Sequence, residues 1–157
     1  MINSSARKIE LDFAKAVERL KPVVVNTPLV LSRSLSKKYD CKIYLKREDL
    51  QVVRSYKLRG AFNMMSSLPA EQLQKGVVCA SAGNHAQGFA YSCRKLGVKG
   101  VVFMPIITPA QKIQQTKFFG EEYVDIRLTG DTYDDCSVAA QEFTVTNGMT
   151  FIPPFEH

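Results

Sequence analysis

A regular alternation of short apolar runs and amphipathic segments begins at residue 76 and constrains the fold more than any other feature. The runs typical of buried strands are GVVCA (76–80), GVVFM (100–104), YVDIRLTG (123–130) and MTFIP (149–153). Segments with helical periodicity separate them, at 84–97, 108–120 and 131–148. Such a repeat is typical of right-handed crossovers between parallel strands, and strands that are apolar throughout are buried on both faces. We therefore predict an α/β fold, a parallel sheet with helices on both faces.

The first 56 residues do not follow this repeat. The spacing of Ile9, Phe13, Val17 and Leu20 predicts an amphipathic helix over 9–20, which Pro22 ends. The remaining pieces are an extended segment, a short helix and a strand, at 26–30, 32–39 and 41–48. Together these pieces lack enough partners to form a closed domain of their own.

The charge distribution argues against a nucleic-acid partner. Residues 1–60 carry fourteen Lys and Arg against six Asp and Glu, within a net charge of +6 for the whole chain. The basic residues alternate with acidic ones, as in KRED, and form no strip with aromatic residues of the kind that binds nucleic acid. The expected partner is a small molecule with some anionic character.

The cysteines and the lengths of the apolar stretches indicate in which cellular compartment the protein resides. The four cysteines form no C-x-x-C pair and lie far in sequence from both histidines, so we expect reduced thiols and no metal site. No apolar run is long enough to span a bilayer, and the first residues lack the apolar region of a secretory leader. These features predict a cytoplasmic protein without a membrane partner.

The segment CASAGNHAQG (79–88) lies where a strand should end and a helix should begin. In parallel α/β sheets, ligands bind at the carboxyl ends of the strands, and free amides at a helix start favour an anion. Gly83 allows close approach of the backbone, and Ser81 adds a hydroxyl donor. The alternative is that Asn84 only caps the helix and that His85 is an exposed first-turn residue. The residues alone leave both interpretations open, and no G-x-G-x-x-G dinucleotide motif is present.

A second candidate site lies in SYKLRGA (55–61). Ser55 is predicted to cap a helix that starts near Tyr56, which places Lys57 in the first turn. The positive end of the helix dipole disfavours an ammonium group there and favours the neutral, nucleophilic amine. The alternative is an ordinary solvated lysine.

The two motifs together, with Lys57 and Asn84 27 residues apart, closely resemble the threonine dehydratase family. The members of this family are pyridoxal-phosphate enzymes of the tryptophan-synthase-β-like fold. The resemblance covers the whole chain, through TPL (27–29) and LKREDLQ (45–51) to the final PPFEH.

The resemblance implies a role for each matching residue. Lys57 corresponds to the Schiff-base lysine that holds the cofactor and then removes the α-proton. Asn84 corresponds to the hydrogen-bond partner of the cofactor's ring hydroxyl oxygen. The loop whose backbone binds the substrate carboxylate is matched by Ser81, Ala82, Gly83, Asn84 and His85.

The implied reaction is α,β-elimination of water from L-threonine, and more slowly from L-serine, to give a 2-oxo acid (2-oxobutanoate from threonine) and ammonia. This reaction belongs to isoleucine formation, and the complete protein is expected to be a homo-oligomer. The similar serine racemases typically carry a second serine where this chain has Ala82, and a methyl group cannot relay a proton. The alternatives are a serine or hydroxyaspartate dehydratase of the same fold, or a non-catalytic remnant or assembly module.

The resemblance also divides the chain in two. Residues 1–56 correspond to the amino-terminal part of the large, cofactor-binding domain, and residues 57–157 to the small α/β domain. The family's phosphate loop has several adjacent glycines, whereas none of the nine glycines here is next to another. We therefore expect an incomplete fold and, for the chain by itself, weak cofactor binding and little or no activity.

Overall fold

The structure, a computed structural model, describes residues 12–155. The helices are Phe13–Leu20 (α1), Arg33–Tyr39 (α2), Lys57–Ser67 (α3), Ala70–Lys75 (α4), Asn84–Leu96 (α5), Ala110–Gly120 (α6) and Tyr133–Asn147 (α7). The strands are Leu29–Leu31 (β1), Tyr44–Lys46 (β2), Val77–Ala80 (β3), Gly100–Met104 (β4), Val124–Leu128 (β5) and Thr150–Phe151 (β6). None of the helices between residues 12 and 155 combines the length and the apolar character that a bilayer crossing requires.

Four of the strands form one parallel sheet in the order β5-β4-β3-β6. The central strands β3 and β4 are buried along their whole length, whereas β5 lies at an edge and is partly exposed. The predicted α/β class and the parallel pairing are confirmed, and each strand lies within its predicted segment.

Alternate residues of β3 face two different cores. Val77 and Cys79 pack with Phe89 of α5 on one face of the sheet. Val78 and Ala80 pack on the other face, against α7. Because α3 and α5 cover one face and α7 covers the other, the prediction of helices on both faces is confirmed.

The amino-terminal region is less buried than the sheet. β1 and β2 pair antiparallel as a two-stranded sheet, and all six of their residues are exposed. In α1, Phe13 is 71% exposed and Val17 is 56% exposed, while Leu20 is buried. The described residues therefore leave most of the predicted apolar face of α1 uncovered, and the predicted first turn at 9–11 lies outside the described residues.

Two local predictions differ from the structure, and one helix was missed. Pro109, with an extended backbone, takes the N-cap of α6 that was expected at Thr108, and the Thr108 hydroxyl is buried without a hydrogen-bond partner among residues 12–155. Tyr56 takes the N-cap of α3 that was expected at Ser55, although the Ser55 hydroxyl accepts a hydrogen bond from the Lys57 amide at 3.2 Å. The short, largely polar helix α4 was not predicted, because six residues show no helical period.

Candidate active site

The site lies at the carboxyl edge of the sheet, where four segments meet. These are the first turn of α3, the loop between β3 and α5, the start of α7 and the chain that follows β6. They enclose an open cavity of about 390 Å³ lined by Lys57, Ser81, Ala82, Asn84, His85, Tyr133, Pro154 and Phe155. Five of the six residues predicted for the site therefore lie around one cavity, and the sixth, Gly83, lies between two of them in the loop.

A glycine in α5 sets the position of Lys57. A Cβ atom at Gly88 would lie 3.1 Å from the Leu58 nitrogen and 3.2 Å from the Lys57 carbonyl carbon. The first turn of α3 therefore rests directly on the α5 backbone, an approach that a larger residue would obstruct. A glycine inside a helical pattern was the available signal for this contact, and the sequence interpretation did not use it.

The Lys57 amine is held by the chain that follows β6. Its Nζ donates a hydrogen bond to the Pro154 carbonyl oxygen at 2.7 Å and lies 4.4 Å from the centre of the Phe155 ring. The ring of Tyr56 is also near, at 5.7 Å. The carbonyl oxygen accepts a hydrogen bond from the amine, and both rings lie within the distance range of cation–π contacts. The interpretation of Lys57 as an ordinary solvated lysine is wrong, because the residue is half-buried in a specific set of contacts.

The loop before α5 keeps two amides free. The Ser81 hydroxyl oxygen accepts hydrogen bonds from the amides of Gly83, at 3.2 Å, and Ala86, at 3.3 Å. The amides of Asn84 and His85, also in the first turn, have no acceptor among the described residues. Free amides at the start of a thirteen-residue helix suit a carboxylate or a phosphate. Ser81 was expected as a donor, and in the structure it also orders the loop as an acceptor.

Asn84 does not cap α5, because Gly83 occupies the N-cap and no side chain caps the helix. The Asn84 side chain is exposed, and its amide makes no hydrogen bond to residues 12–155. The side chain is therefore available to a ligand in the cavity that Lys57 also lines.

His85 is buried, which overturns the alternative of an exposed first-turn residue. Its Nε2 lies 3.0 Å from the Ile152 carbonyl oxygen. Burial lowers the pKa of His85 below its usual value, the Ile152 hydrogen bond opposes this, and the nearby Lys57 charge adds to the lowering. A neutral ring must donate from Nε2 to a carbonyl oxygen, which leaves Nδ1 as an acceptor.

This donor set fits one side of a ring that carries an aldehyde, a hydroxyl and an anionic group. An amine, a free carboxamide and two open amides line or border one cavity. The chain also matches the profile of one protein family, "Pyridoxal-phosphate dependent enzyme", over residues 20–157. The chain belongs to the family of pyridoxal-phosphate dependent enzymes. Pyridoxal phosphate is the cofactor of this family.

Individual relatives agree with this assignment. The chain is 57% identical to the biosynthetic L-threonine dehydratase of Halalkalibacterium halodurans over 150 residues, which are 95% of this chain and 36% of that protein. It is 56% identical to the protein of the same name from Bacillus subtilis, covering 90% of this chain and 34% of that protein. The chain therefore spans about a third of the length of these relatives.

Solved structures share the fold. The processed form of threonine deaminase isoform 2 from Solanum lycopersicum superposes with a TM-score of 0.84 at 41% identity, covering 92% of this chain and 39% of that one. Maize serine racemase superposes with a TM-score of 0.83 at 29% identity, covering 91% of this chain and 43% of that one. The expected tryptophan-synthase-β-like class is confirmed, for part of the fold.

Proposed function

We propose that this chain is the amino-terminal part of a pyridoxal-phosphate dependent threonine ammonia-lyase, which converts L-threonine, and more slowly L-serine, to a 2-oxo acid and ammonia. The observation that supports it most is that Lys57, Asn84 and the two free amides of α5 meet at one cavity. The identity with biosynthetic threonine dehydratases favours threonine over other substrates and a place in isoleucine formation.

Lys57 has two tasks in this proposal. As a neutral amine it would hold the cofactor by condensing with its aldehyde group and releasing water, for which it must leave the Pro154 carbonyl oxygen and the Phe155 ring. With substrate bound, its Nζ would accept the proton from the substrate's α-carbon. The bound cofactor supplies an electron-accepting ring for the charge left on that carbon.

The loop before α5 orients the reactants. The free amides of Asn84 and His85 bind the substrate carboxylate, with the positive end of the helix dipole behind them. The Ser81 hydroxyl and the backbone of Gly83 complete this binding surface. The Asn84 carboxamide, which lines the same cavity, would donate to the cofactor's ring hydroxyl oxygen.

Ala82 distinguishes elimination from racemisation. Racemisation needs an acid on the face of the α-carbon opposite the lysine, and Ala82 lines the cavity with a methyl group only. This observation favours ammonia loss, although maize serine racemase shares the fold. A serine or hydroxyaspartate dehydratase is the nearest alternative, and a non-catalytic assembly module is the alternative from another class.

Residues 1–56 belong, in this proposal, to the larger cofactor-binding domain and residues 57–157 to the smaller one. None of the nine glycines is next to another, so the chain lacks the run of adjacent glycines that would hold the cofactor phosphate. The chain by itself is then a weak binder with little or no activity, and the complete protein is a cytoplasmic homo-oligomer that acts on a small amino acid.

A chimera tests this function. Residues 1–157 are joined to the remainder of the Halalkalibacterium halodurans threonine dehydratase, and 2-oxo acid release is measured with threonine and with serine. The proposal expects turnover with a higher kcat/KM for threonine, and none in the Lys57→Ala chimera. A folded chimera that binds the cofactor and does not turn over threonine contradicts the proposal. A higher kcat/KM for serine supports the alternative dehydratase.

A further inference from the structure

The Glu48 carboxylate lies where three segments of the chain meet. Arg59 of α3 donates to it through Nε, at 2.7 Å, and through Nη2, at 2.9 Å. The Thr27 hydroxyl donates to it at 2.7 Å, and the Gln51 amide at 3.3 Å. Only 16% of the Glu48 side chain is exposed, and these donors, Arg59 first, lower its pKa to about 2.

The buried side chain of Gln51 anchors the same cluster to the amino-terminal chain. Gln51 exchanges two hydrogen bonds of 2.9 Å with the backbone of Val25. Lys46 adds a hydrogen bond from its Nζ to the Thr27 carbonyl oxygen. Hydrogen bonds therefore join the turn that carries Glu48 to the segment at 25–27. These bonds fix the position of the carboxylate independently of its contact with α3.

The first turn of α3 has few of the groups that usually stabilise a helix start. The side chain of its N-cap residue, Tyr56, makes no capping hydrogen bond, and the turn contains no acidic residue. Its one side-chain acceptor among the described residues is the Ser55 hydroxyl, which accepts from the Lys57 amide at 3.2 Å. Lys57 and Arg59 place two cations there, at the positive end of the helix dipole, where cations are unfavourable. The turn that precedes it also contains Arg54 in the left-handed region, at φ 55°. A negative charge near this turn is favourable, and Glu48 supplies one from outside the helix through its pair with Arg59.

We propose that Glu48 is a positioning residue for Lys57: its paired oxygens bind the Arg59 guanidinium and thereby fix the first turn of α3 so that the Lys57 amine points into the cavity. A bidentate carboxylate–guanidinium pair fixes orientation as well as distance. Glutamine at position 48 would keep the size but lose the charge, and aspartate would keep the charge but be too short to reach all the donors. The proposal rests on the proposed function for its meaning, but its test needs no cofactor.

The test is the reactivity of individual lysines in the 157-residue chain, measured with a small acylating reagent and peptide mass spectrometry. In Glu48→Gln we expect Lys57 to react several-fold faster than in the parent chain, because the loosened turn releases its amine from Pro154. The other lysines should keep their relative rates. Hydrogen exchange should accelerate at the amides of 57–59 and not in α5.

A matched control lies next to Glu48 in the sequence. Asp49 makes a similar bidentate pair with Arg47, at 2.8 and 2.6 Å, but this pair is exposed and does not involve α3. Asp49→Asn should leave the reactivity of Lys57 unchanged. Arg59→Gln should reproduce the effect of Glu48→Gln, and the double variant should show no larger effect than either single variant.

Three outcomes overturn the proposal: an unchanged Lys57 rate in folded Glu48→Gln, an equal acceleration of all lysines, or additive effects of the two single variants. If Glu48→Gln does not fold, Thr27→Val removes one donor and keeps the Arg59 pair. It should then give a smaller change at Lys57 in the same direction, and an unchanged rate overturns the proposal. Failure of the chimera described above to bind the cofactor would count against the proposed function alone.

Discussion

Among single residues, the reactivity of Lys57 depends on the groups that hold its amine. The Phe155 ring, 4.4 Å from Nζ, is largely exposed, and an exposed cation–π contact contributes about 0.5–1 kcal/mol. We expect Phe155→Ala to raise the rate at which Lys57 reacts with a small aldehyde by roughly two- to fivefold. Phe155→Tyr, which keeps a ring, should leave the rate unchanged, and an equal rise in both variants would contradict the role of the ring.

His85 provides a prediction about pH. Its pKa is lowered in the folded chain, so the unfolded chain takes up a proton at higher pH than the folded chain does. The free energy of unfolding should therefore fall as the pH drops from about 6.5 towards the lowered value. Urea unfolding across this range measures it. His85→Gln should make the free energy of unfolding less dependent on pH in this range. An unchanged slope would contradict the lowered pKa of His85 as its cause.

At the scale of secondary-structure elements, the crossing of α3 and α5 fixes the site. Gly88→Ala places a methyl group 3.1 to 3.2 Å from the α3 backbone and should lower the free energy of unfolding by about 1–3 kcal/mol. Gly60→Ala is the control, because nothing lies within 4 Å of its Cβ position in the same α3 helix. It should stabilise the chain by about 0.5–1 kcal/mol. Urea unfolding measures both changes. If the free energy of unfolding changed in the same direction in both variants, the close contact between α3 and α5 at Gly88 would be contradicted.

The elements also show how far a sequence can be interpreted. The strands of the sheet were predictable because the buried strands β3 and β4 are uniformly apolar. The ends of α5 and α7 were predictable because Gly97 and Gly148 adopt the left-handed conformation that ends a helix. The contact between Lys57 and Pro154 was not predictable, because 97 residues separate them and no local pattern encodes it. The Glu48 cluster was equally hidden, since its donors lie in three separate segments.

At the scale of the whole molecule, apolar surface is exposed in the amino-terminal region. Phe13, Leu29 and Tyr44 are each more than half exposed. Large exposed apolar patches promote association, so the 157-residue chain should associate as its concentration rises. Sedimentation velocity measures this: Leu29→Ser should shift the chain towards the monomer, and Val145→Ser, an exposed position on α7, should not. A monomer at every concentration would contradict this prediction.

The most direct test of the central claim is to locate the residue that bonds covalently to pyridoxal phosphate. The chimera described above is saturated with the cofactor, reduced with borohydride and mapped by peptide mass spectrometry. We expect one modified residue, Lys57, and no cofactor attached at any other lysine when Lys57 is replaced by alanine. Attachment at another lysine, or no attachment in a folded chimera, would contradict it.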